Sequence, residues 1–186
     1  MQARVNELIQ LMRIESDQAK IEGFMAALGK RLRSGGRIYL TGGATAVLHG
    51  WRAATVDIDI KADPEPAGLF EAIALLKEDM DVNVELASPD QFIPPLPGWR
   101  ERSLFIAVHG LVEFLHYDPY SQALAKLQRG HARDLRDAQS LRRTGLIETE
   151  RLWELFQAIA PQLVRYPGID PAVFRAAVIQ FQDENG

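Results

Sequence analysis

The sequence predicts an α/β (α+β) fold, in which a small mixed β-sheet is preceded by a helical segment and followed by a layer of helices. Three observations lead to this fold class. Apolar residues recur at helical spacing up to Arg33, short segments with strand-like alternation occupy the middle of the chain, and the spacing is helical again after Pro119. We therefore predict a core with N-terminal helices over residues 1–118 and a C-terminal helical region over residues 119–186 that packs on it.

The first elements are helices that end at a glycine-rich turn. Apolar residues at helical spacing predict one or two amphipathic helices, and Ser34-Gly35-Gly36 ends them. These apolar residues are Val5, Leu8, Ile9 and Met12 in the first part and Ile21, Met25, Leu28 and Leu32 in the second.

Strands and helices then alternate up to residue 87. The predicted strands are 37–41, 55–61 and 81–87, and the last two alternate apolar and polar residues. A helix is predicted over 44–49, and a second helix begins at Pro64 and Pro66.

A proline-rich segment separates these elements from the rest of the chain. Segment 88–98 contains four prolines, so it is predicted to be a stiff loop, which acts either as a lid or docking edge or as a rigid connector. Two apolar runs around His109-Gly110 predict a β-hairpin over 104–108 and 111–117. The remaining predicted helices are 120–130, 131–143, 149–160 and 171–182.

Composition and charge exclude several classes of protein. The 186 residues include 21 Lys and Arg and 25 Asp and Glu, a net charge of -4, which is not the basic balance of a dedicated duplex-binding domain. The absence of cysteine excludes disulfides, thiolate metal sites and a cysteine nucleophile. No stretch approaches the ~18 apolar residues of a membrane span, and charges interrupt the N-terminal segment, so we expect a cytoplasmic protein without a membrane partner.

Two aspartates on one predicted strand indicate a metal site. Residues two apart on a strand point to the same side, so Asp57 and Asp59 project together while their apolar neighbours pack into the core. Two like charges this close are unfavourable unless they are protonated or neutralised, and carboxylate oxygens suit Mg²⁺ or Mn²⁺. The pair therefore predicts a divalent-metal site, and the alternative is an exposed strand edge.

Gly42 and Gly43 lie between a predicted strand and a predicted helix. Glycine at this junction permits a positive φ and close backbone approach, and the helix that follows would aim N–H groups at an anion. We therefore predict a phosphate-binding loop, followed by the carboxylate pair, as a metal–nucleotide site requires.

Glu85 is the candidate third carboxylate. It lies on the polar face of the strand predicted over 81–87, so it joins Asp57 and Asp59 if the two strands are neighbours. Three carboxylates suit a two-metal centre for phosphoryl transfer. Asp81 and Asp90 are alternatives for this position, and a solvated surface position is the other interpretation of Glu85.

These residues resemble a known signature. The pattern from Gly42 to Asp59, two glycines, thirteen residues and then Asp-hydrophobic-Asp, is similar to that of the polymerase-beta-like nucleotidyltransferase superfamily. A closer resemblance is to the branch of abortive-infection toxin nucleotidyltransferases and related uncharacterised bacterial proteins. Segment 125–137 also resembles that branch, through a Lys, an Arg-Asp pair and a further Asp.

The resemblance implies metal-dependent transfer of a nucleoside monophosphate from an NTP to a hydroxyl acceptor, with release of pyrophosphate and with Mg²⁺ or Mn²⁺ as cofactor. The residues that it assigns are Gly42 and Gly43 to the phosphate loop, Asp57 and Asp59 to the metal, and Glu85 to the third carboxylate. Arg52, which precedes the aspartates, either neutralises phosphate or forms a structural ion pair.

Two further residues are candidates for nucleotide binding. Many members of the superfamily have Gly-Ser in place of the glycine pair, so backbone donors or Thr45 would supply the missing contact. Lys126, which the resemblance includes, forms a basic stripe with Arg129 and Arg133 that would bind the triphosphate or acceptor phosphates. The alternative is a surface stripe in which Arg133 pairs with Asp137.

We predict an enzyme whose acceptor is RNA or protein, in a toxin–antitoxin or phage-defence setting with a cognate antitoxin or other partner protein. One alternative is a non-catalytic, antitoxin-like interaction module with the same fold. Retention of Asp57 and Asp59 disfavours this module, because adjacent unpaired carboxylates cost stability. Another alternative is a small-molecule enzyme such as an antibiotic nucleotidyltransferase, for which a deep acidic acceptor pocket would be diagnostic.

Overall fold

The computed structural model describes residues 14–184, and the chain forms two compact units. The first unit is Met1–Leu86 with Ala107–Phe114, and the second is Ala87–Ile106 with Leu115–Gly186. The predicted helical residues before position 14 lie outside the described residues. The boundary that the sequence predicts between the core (residues 1–118) and the C-terminal helical region (residues 119–186) stays a prediction.

The first unit contains the helices and strands that carry the predicted site. Its helices are α1 (Gln18–Arg31), α2 (Gly42–Leu48) and α3 (Leu69–Asp79). Its strands are β1 (Ser16–Asp17), β2 (Gly36–Thr41), β3 (Ala54–Thr55), β4 (Asp57–Ala62) and β5 (Asn83–Glu85). The side chain of Asp17 caps α1 by accepting a hydrogen bond from the N–H of Lys20. Ile21, Met25 and Leu28 are buried on one side of this helix, as their spacing predicts.

One five-stranded sheet organises the fold. Strands β6 (Leu104–His109) and β7 (Val112–His116) form the predicted hairpin. The strand order is β5-β4-β2-β7-β6, with β2 antiparallel and β5 parallel to β4. Strands β1 and β3 form a separate antiparallel pair. The fold is therefore mixed α+β, which confirms the predicted class, and no helix within residues 14–184 is long and apolar enough to cross a membrane.

The second unit is largely helical. Its helices are α4 (Trp99–Arg102), α5 (Pro119–Arg129), α6 (Ala132–Arg143), α7 (Thr149–Ile159) and α8 (Pro171–Asp183). Short 3₁₀ turns occupy Pro89–Gln91 and Ala160–Arg165. Asp118 is fully buried and caps α5 by accepting from the N–H groups of Tyr120 and Ser121.

The proline-rich segment is fixed to the helices of the second unit. Arg102, which follows the segment, binds the Asp118 carboxylate through Nε at 3.0 Å and Nη2 at 2.7 Å, and its Nη1 donates to the backbone carbonyl of Pro97 at 2.7 Å. The ring of Trp99 stacks on Tyr117 with centroids 4.5 Å apart, and Leu96 is buried. These contacts hold the segment within one compact unit, so they favour the rigid connector over the lid.

Two predicted elements differ from the structure in extent. The helix predicted from Pro64 and Pro66 begins only at Leu69, because both prolines lie in the turn that follows β4. The strand predicted over 81–87 is paired only at Asn83–Glu85, and Leu86 is 46% exposed. Apolar alternation indicates which face of a strand is buried, but it does not determine where pairing with a neighbour stops.

Candidate functional site

Strand β4 places two carboxylates on one face of the sheet. Ile58 and Ile60 are 0% and 1% exposed, whereas Asp57 and Asp59 are half-buried. Because side chains alternate along a strand, both aspartates lie on the face opposite the two isoleucines. The structure therefore brings the two predicted metal ligands to the same surface.

Asn83 is hydrogen-bonded to Asp57. The two residues are opposite each other in the parallel register of β4 and β5, and Nδ2 of Asn83 donates to Oδ1 of Asp57. An amide donor offsets negative charge on a carboxylate oxygen and fixes the orientation of the group. Part of the repulsion within the aspartate pair is thus offset by a side chain of the neighbouring strand.

Gly42 makes room for the carboxylate of Asp59. It is the first residue of α2 and has a φ of 57°, in the left-handed region that favours glycine. A Cβ atom added to Gly42 would lie 2.8 Å from Oδ2 of Asp59, which is opposite Thr41 in the β2–β4 register. The glycine pair and the carboxylate pair therefore meet in one site.

Thr55 fills the space beside Gly43. A Cβ atom added to Gly43 would overlap Oγ1 of Thr55 and lie 2.8 Å from its Cβ. The same hydroxyl donates to the backbone carbonyl of Asp57 at 3.1 Å. A serine at position 43 would have no room here, because a threonine from β3 occupies its place and ties the glycine loop to the first aspartate.

Glu85 lies at the edge of this site. It is exposed and opposite Asp59 in the parallel register, so its side chain points to the same face of the sheet as the two aspartates. Within residues 14–184, no three carboxylate or histidine side chains are grouped closely enough to hold a metal ion. The three-carboxylate centre of Asp57, Asp59 and Glu85 stays a prediction.

Thr45 lies inside the junction between β2 and α2. It is 2% exposed, and its hydroxyl donates to the backbone carbonyl of Leu40 at 3.2 Å. The structure thus places Thr45 near the glycine pair but below the surface. Its predicted contact with phosphate stays a prediction.

His49 follows α2 and is packed against Trp51, with ring centroids 4.7 Å apart. Burial lowers the pKa of His49 from its ordinary value. A helix C-terminus favours a cation, but here desolvation dominates. His49 is therefore neutral at pH 7, and we assign it to packing.

Lys126 belongs to a buried ion-pair network in the second unit. Its side chain is 5% exposed, and its Nζ lies 2.7 Å from Oδ2 of Asp137 and 3.5 Å from Oδ1 of Asp134. Nη2 of Arg129 lies 2.9 Å from the same oxygen of Asp134, while Arg133 is exposed. Asp137 therefore pairs with Lys126 of α5, not with Arg133 as the surface-stripe alternative expects. The predicted role of Lys126 at a triphosphate stays a prediction.

Most of the chain matches one protein family. That family is described as nucleotidyltransferase of unknown function (DUF6036), and the match covers residues 19–183. The chain belongs to this family. Neither the curated proteins nor the solved structures give a significant match.

Family membership confirms the predicted nucleotidyltransferase resemblance and assigns the chain to nucleotidyl transfer in general. The family match runs from α1 to α8, so the C-terminal helices are part of the family architecture. The closer resemblance to the abortive-infection branch stays a prediction.

The sequence does not indicate the contacts that two residues of this candidate site make. Asn83 gives a weak signal, because it precedes Glu85 by two residues on the same polar strand face. Its partner Asp57 follows only from the parallel register of two strands that are distant in sequence. Thr55 gives no signal of its contact with Gly43, which depends on the packing of β3 against α2.

Proposed function

We propose that the chain transfers a nucleoside monophosphate from an NTP to a hydroxyl acceptor and releases pyrophosphate. The single observation that carries this proposal is the contact between the two halves of the site. The glycine at the start of α2 lies directly against the carboxylate of Asp59. Asp57 is two residues earlier on the same strand and faces the same side of the sheet. A phosphate bound at the glycine loop would then meet both carboxylates.

The proposed reaction replaces a phosphoanhydride bond of the NTP by a phosphoester bond to the acceptor. The acceptor oxygen bonds to the α-phosphorus, the bond from that phosphorus to the bridging oxygen of the β-phosphate breaks, and pyrophosphate leaves with the electron pair. The acceptor proton passes to solvent. Such transfers depend on positioning and electrostatic stabilisation by the protein. Gly42 and Gly43 would let the phosphates approach the backbone closely.

Asp57 and Asp59 fit a divalent cation, because they present two half-buried carboxylates on one face of β4. Oδ1 of Asp57 is held by Asn83, which sets the orientation of that ligand. Glu85 would complete the set from the adjacent strand. When bound, Mg²⁺ or Mn²⁺ would neutralise phosphate charge and lower the pKa of the attacking hydroxyl.

The acceptor that we propose is RNA or protein, in a toxin–antitoxin or phage-defence setting with a cognate antitoxin or other partner protein. The resemblance of segment 125–137 to the abortive-infection branch supports this part of the proposal. The net charge of -4 favours a local contact with the acceptor over binding along a duplex.

A non-catalytic interaction module is the second candidate function. The hydrogen bond from Asn83 to Asp57 favours it, because this bond offsets charge within the carboxylate pair in the absence of a metal ion. Two adjacent aspartates therefore destabilise the metal-free protein less than the sequence alone suggests.

A labelling assay separates the enzyme from the module. The protein is incubated with α-phosphate-labelled NTPs, Mg²⁺ or Mn²⁺, and total RNA or cell lysate. We expect wild-type protein to label one class of macromolecule, and Asp57→Asn and Asp59→Asn to fall at least about a hundredfold in rate, since each loses a proposed metal ligand. Asp79→Asn is the control, because Asp79 is exposed and its ion pair with Arg31 lies at the surface. Unchanged labelling by Asp57→Asn, or wild-type protein that binds NTP without labelling anything, would count against the enzyme.

A further inference from the structure

The charges of α6 are separated between its two sides. Its acidic residues, Asp134 and Asp137, are 9% and 4% exposed and hold Lys126 and Arg129 of α5. Its four arginines are exposed or half-exposed, namely Arg133, Arg136, Arg142 and Arg143. The solvent-exposed surface of this 12-residue helix therefore carries four positive charges and no carboxylate.

The helical period explains this separation. At about 100° per residue, Asp134, Asp137 and Leu141 fall on the inward side of α6. Arg136 and Arg143 fall on the opposite side, and the other two arginines flank them. With a rise of about 1.5 Å per residue, the stripe from Arg133 to Arg143 is about 15 Å long.

The four arginines are not neutralised by ion pairs within the described chain. None lies within 4.0 Å of a carboxylate of residues 14–184. Glu148 and Glu150 line the same open cavity as Arg142 and Arg143, so they reduce the positive potential at that end of the helix. The end formed by Arg133 and Arg136 is the more positive one.

We propose that this arginine stripe binds the phosphate backbone of single-stranded RNA. Every cation of the stripe is an arginine, whose planar fork matches phosphate oxygens better than the ammonium group of lysine does. The stripe is about 15 Å long and carries four cations along α6, more than the phosphates of one nucleotide would contact, so a polymer fits it better than a free nucleotide.

A membrane surface fits the stripe less well. A helix that binds at a bilayer interface must bury an apolar side in the lipid. The apolar side of α6 is already inside the unit, where Ala138 and Leu141 are 0% and 2% exposed. Leu135, which is 37% exposed, is the one large apolar side chain of α6 that solvent reaches, so this face offers mainly charge, as in a backbone contact to nucleic acid.

The role of the bound RNA as acceptor rests on the proposed function, whereas the binding itself does not. Binding requires neither NTP nor a metal ion. It can therefore be measured with the full-length protein in EDTA, separately from nucleotidyl transfer.

The test is fluorescence anisotropy with a labelled, unstructured 16-nucleotide RNA at NaCl concentrations from 50 to 200 mM. We expect Arg133→Gln/Arg136→Gln to weaken binding on the order of tenfold at 50 mM NaCl, and to reduce the slope of log affinity against log salt by about 1.4, because each lost phosphate contact removes about 0.7. The matched control is Arg151→Gln/Arg165→Gln, which removes the same charge from exposed positions of the same unit. It should bind within about twofold of wild type, since Arg151 already pairs with Glu154.

Several outcomes would overturn the proposal. If the control variant weakens binding equally, the effect is one of overall charge and not of the stripe. If wild-type protein at 100 µM does not bind the RNA, the proposed RNA site does not exist. Arginine-dependent binding to phosphatidylserine vesicles but not to RNA would assign the stripe to membranes. Equal binding of DNA of the same sequence would support backbone contacts, whereas binding of DNA alone would contradict the choice of RNA. Matching thermal melts establish that the variants are folded, and Arg133→Lys/Arg136→Lys should retain the salt slope.

The experiment also separates this inference from the proposed function. Asp57→Asn should still bind the RNA in EDTA, because the proposed contacts are made by arginines of α6 and require neither a metal ion nor NTP. Retained RNA binding without any labelling would contradict the nucleotidyl transfer and leave the arginine stripe supported.

Discussion

Two side chains other than the glycines and aspartates themselves determine how those four residues are held. Asn83 binds one oxygen of Asp57, and Thr55 both fills the space beside Gly43 and bonds to the backbone of Asp57. The second glycine is therefore explained by packing. A serine there would need the volume that Thr55 already occupies.

Substitution of Gly43 tests this explanation. Gly43→Ala should lower the free energy of unfolding by about 1–3 kcal/mol, the usual cost of overpacking, because its Cβ would overlap Thr55. Thr55→Ala in the same chain should recover only part of this loss, since the Cβ of residue 55 would remain 2.8 Å from the new atom. Urea unfolding of the wild type, both single variants and the double variant gives the coupling energy.

Gly23→Ala is the control for this series. Gly23 lies within α1, and an added Cβ would meet only the flexible end of Met80, at an ordinary distance of 3.4 Å. Because alanine has the higher helix propensity, this variant should be neutral or slightly stabilising. Strictly additive effects of Gly43→Ala and Thr55→Ala would show that the two side chains do not compete for space.

At the scale of elements, α5 and α6 are joined by charge as well as by apolar packing. Lys126 reaches from α5 to the two inward-facing aspartates of α6, and Arg129 binds one of them. Desolvation makes such a network costly when it is incomplete. The contribution of Lys126 to stability therefore depends on the carboxylates that it neutralises.

Lys126→Met should destabilise the protein by about 3–5 kcal/mol, because it leaves Asp137 buried without its lysine. Lys126→Met/Asp137→Leu should lie much closer to wild type, since an apolar pair of similar volume avoids the uncompensated charge. Thermal or urea unfolding measures the change in the free energy of unfolding for both the single and the double variant. If the free energy of unfolding of Lys126→Met lies within about 0.5 kcal/mol of the wild-type value, the lysine is not structural, and its predicted role at a triphosphate is strengthened.

Long elements were easier to predict than short ones. The helices from α5 onward match their predicted limits closely, because prolines, capping aspartates and glycines mark their ends. The two-residue strands β1 and β3 and the four-residue helix α4 are too short to show any period. These short elements nevertheless carry Thr55, Trp99 and Arg102, which fix larger parts of the chain.

At the scale of the whole molecule, ligand binding should change stability. A ligand that binds only the folded state at 100 times its Kd adds about 2.7 kcal/mol to the free energy of unfolding. We expect Mn²⁺ with the preferred NTP to raise the Tm of wild-type protein, and NTP with EDTA to raise it less. Asp59→Asn should lose the metal-dependent part of the shift. A melt that is unchanged by saturating Mn²⁺ with each of the four NTPs would contradict a nucleotide site.

Local sequence patterns are sufficient to predict the fold class, the major helices and the placement of Asp57 and Asp59 on one strand face. Those features follow from local periodicity, which a single chain displays directly. Tertiary structure alone decided that Asn83 holds Asp57, that Thr55 excludes a side chain at position 43, and that Asp137 pairs with Lys126. Each of these depends on the register or packing of elements that are distant in sequence, and periodicity carries no information about register between elements.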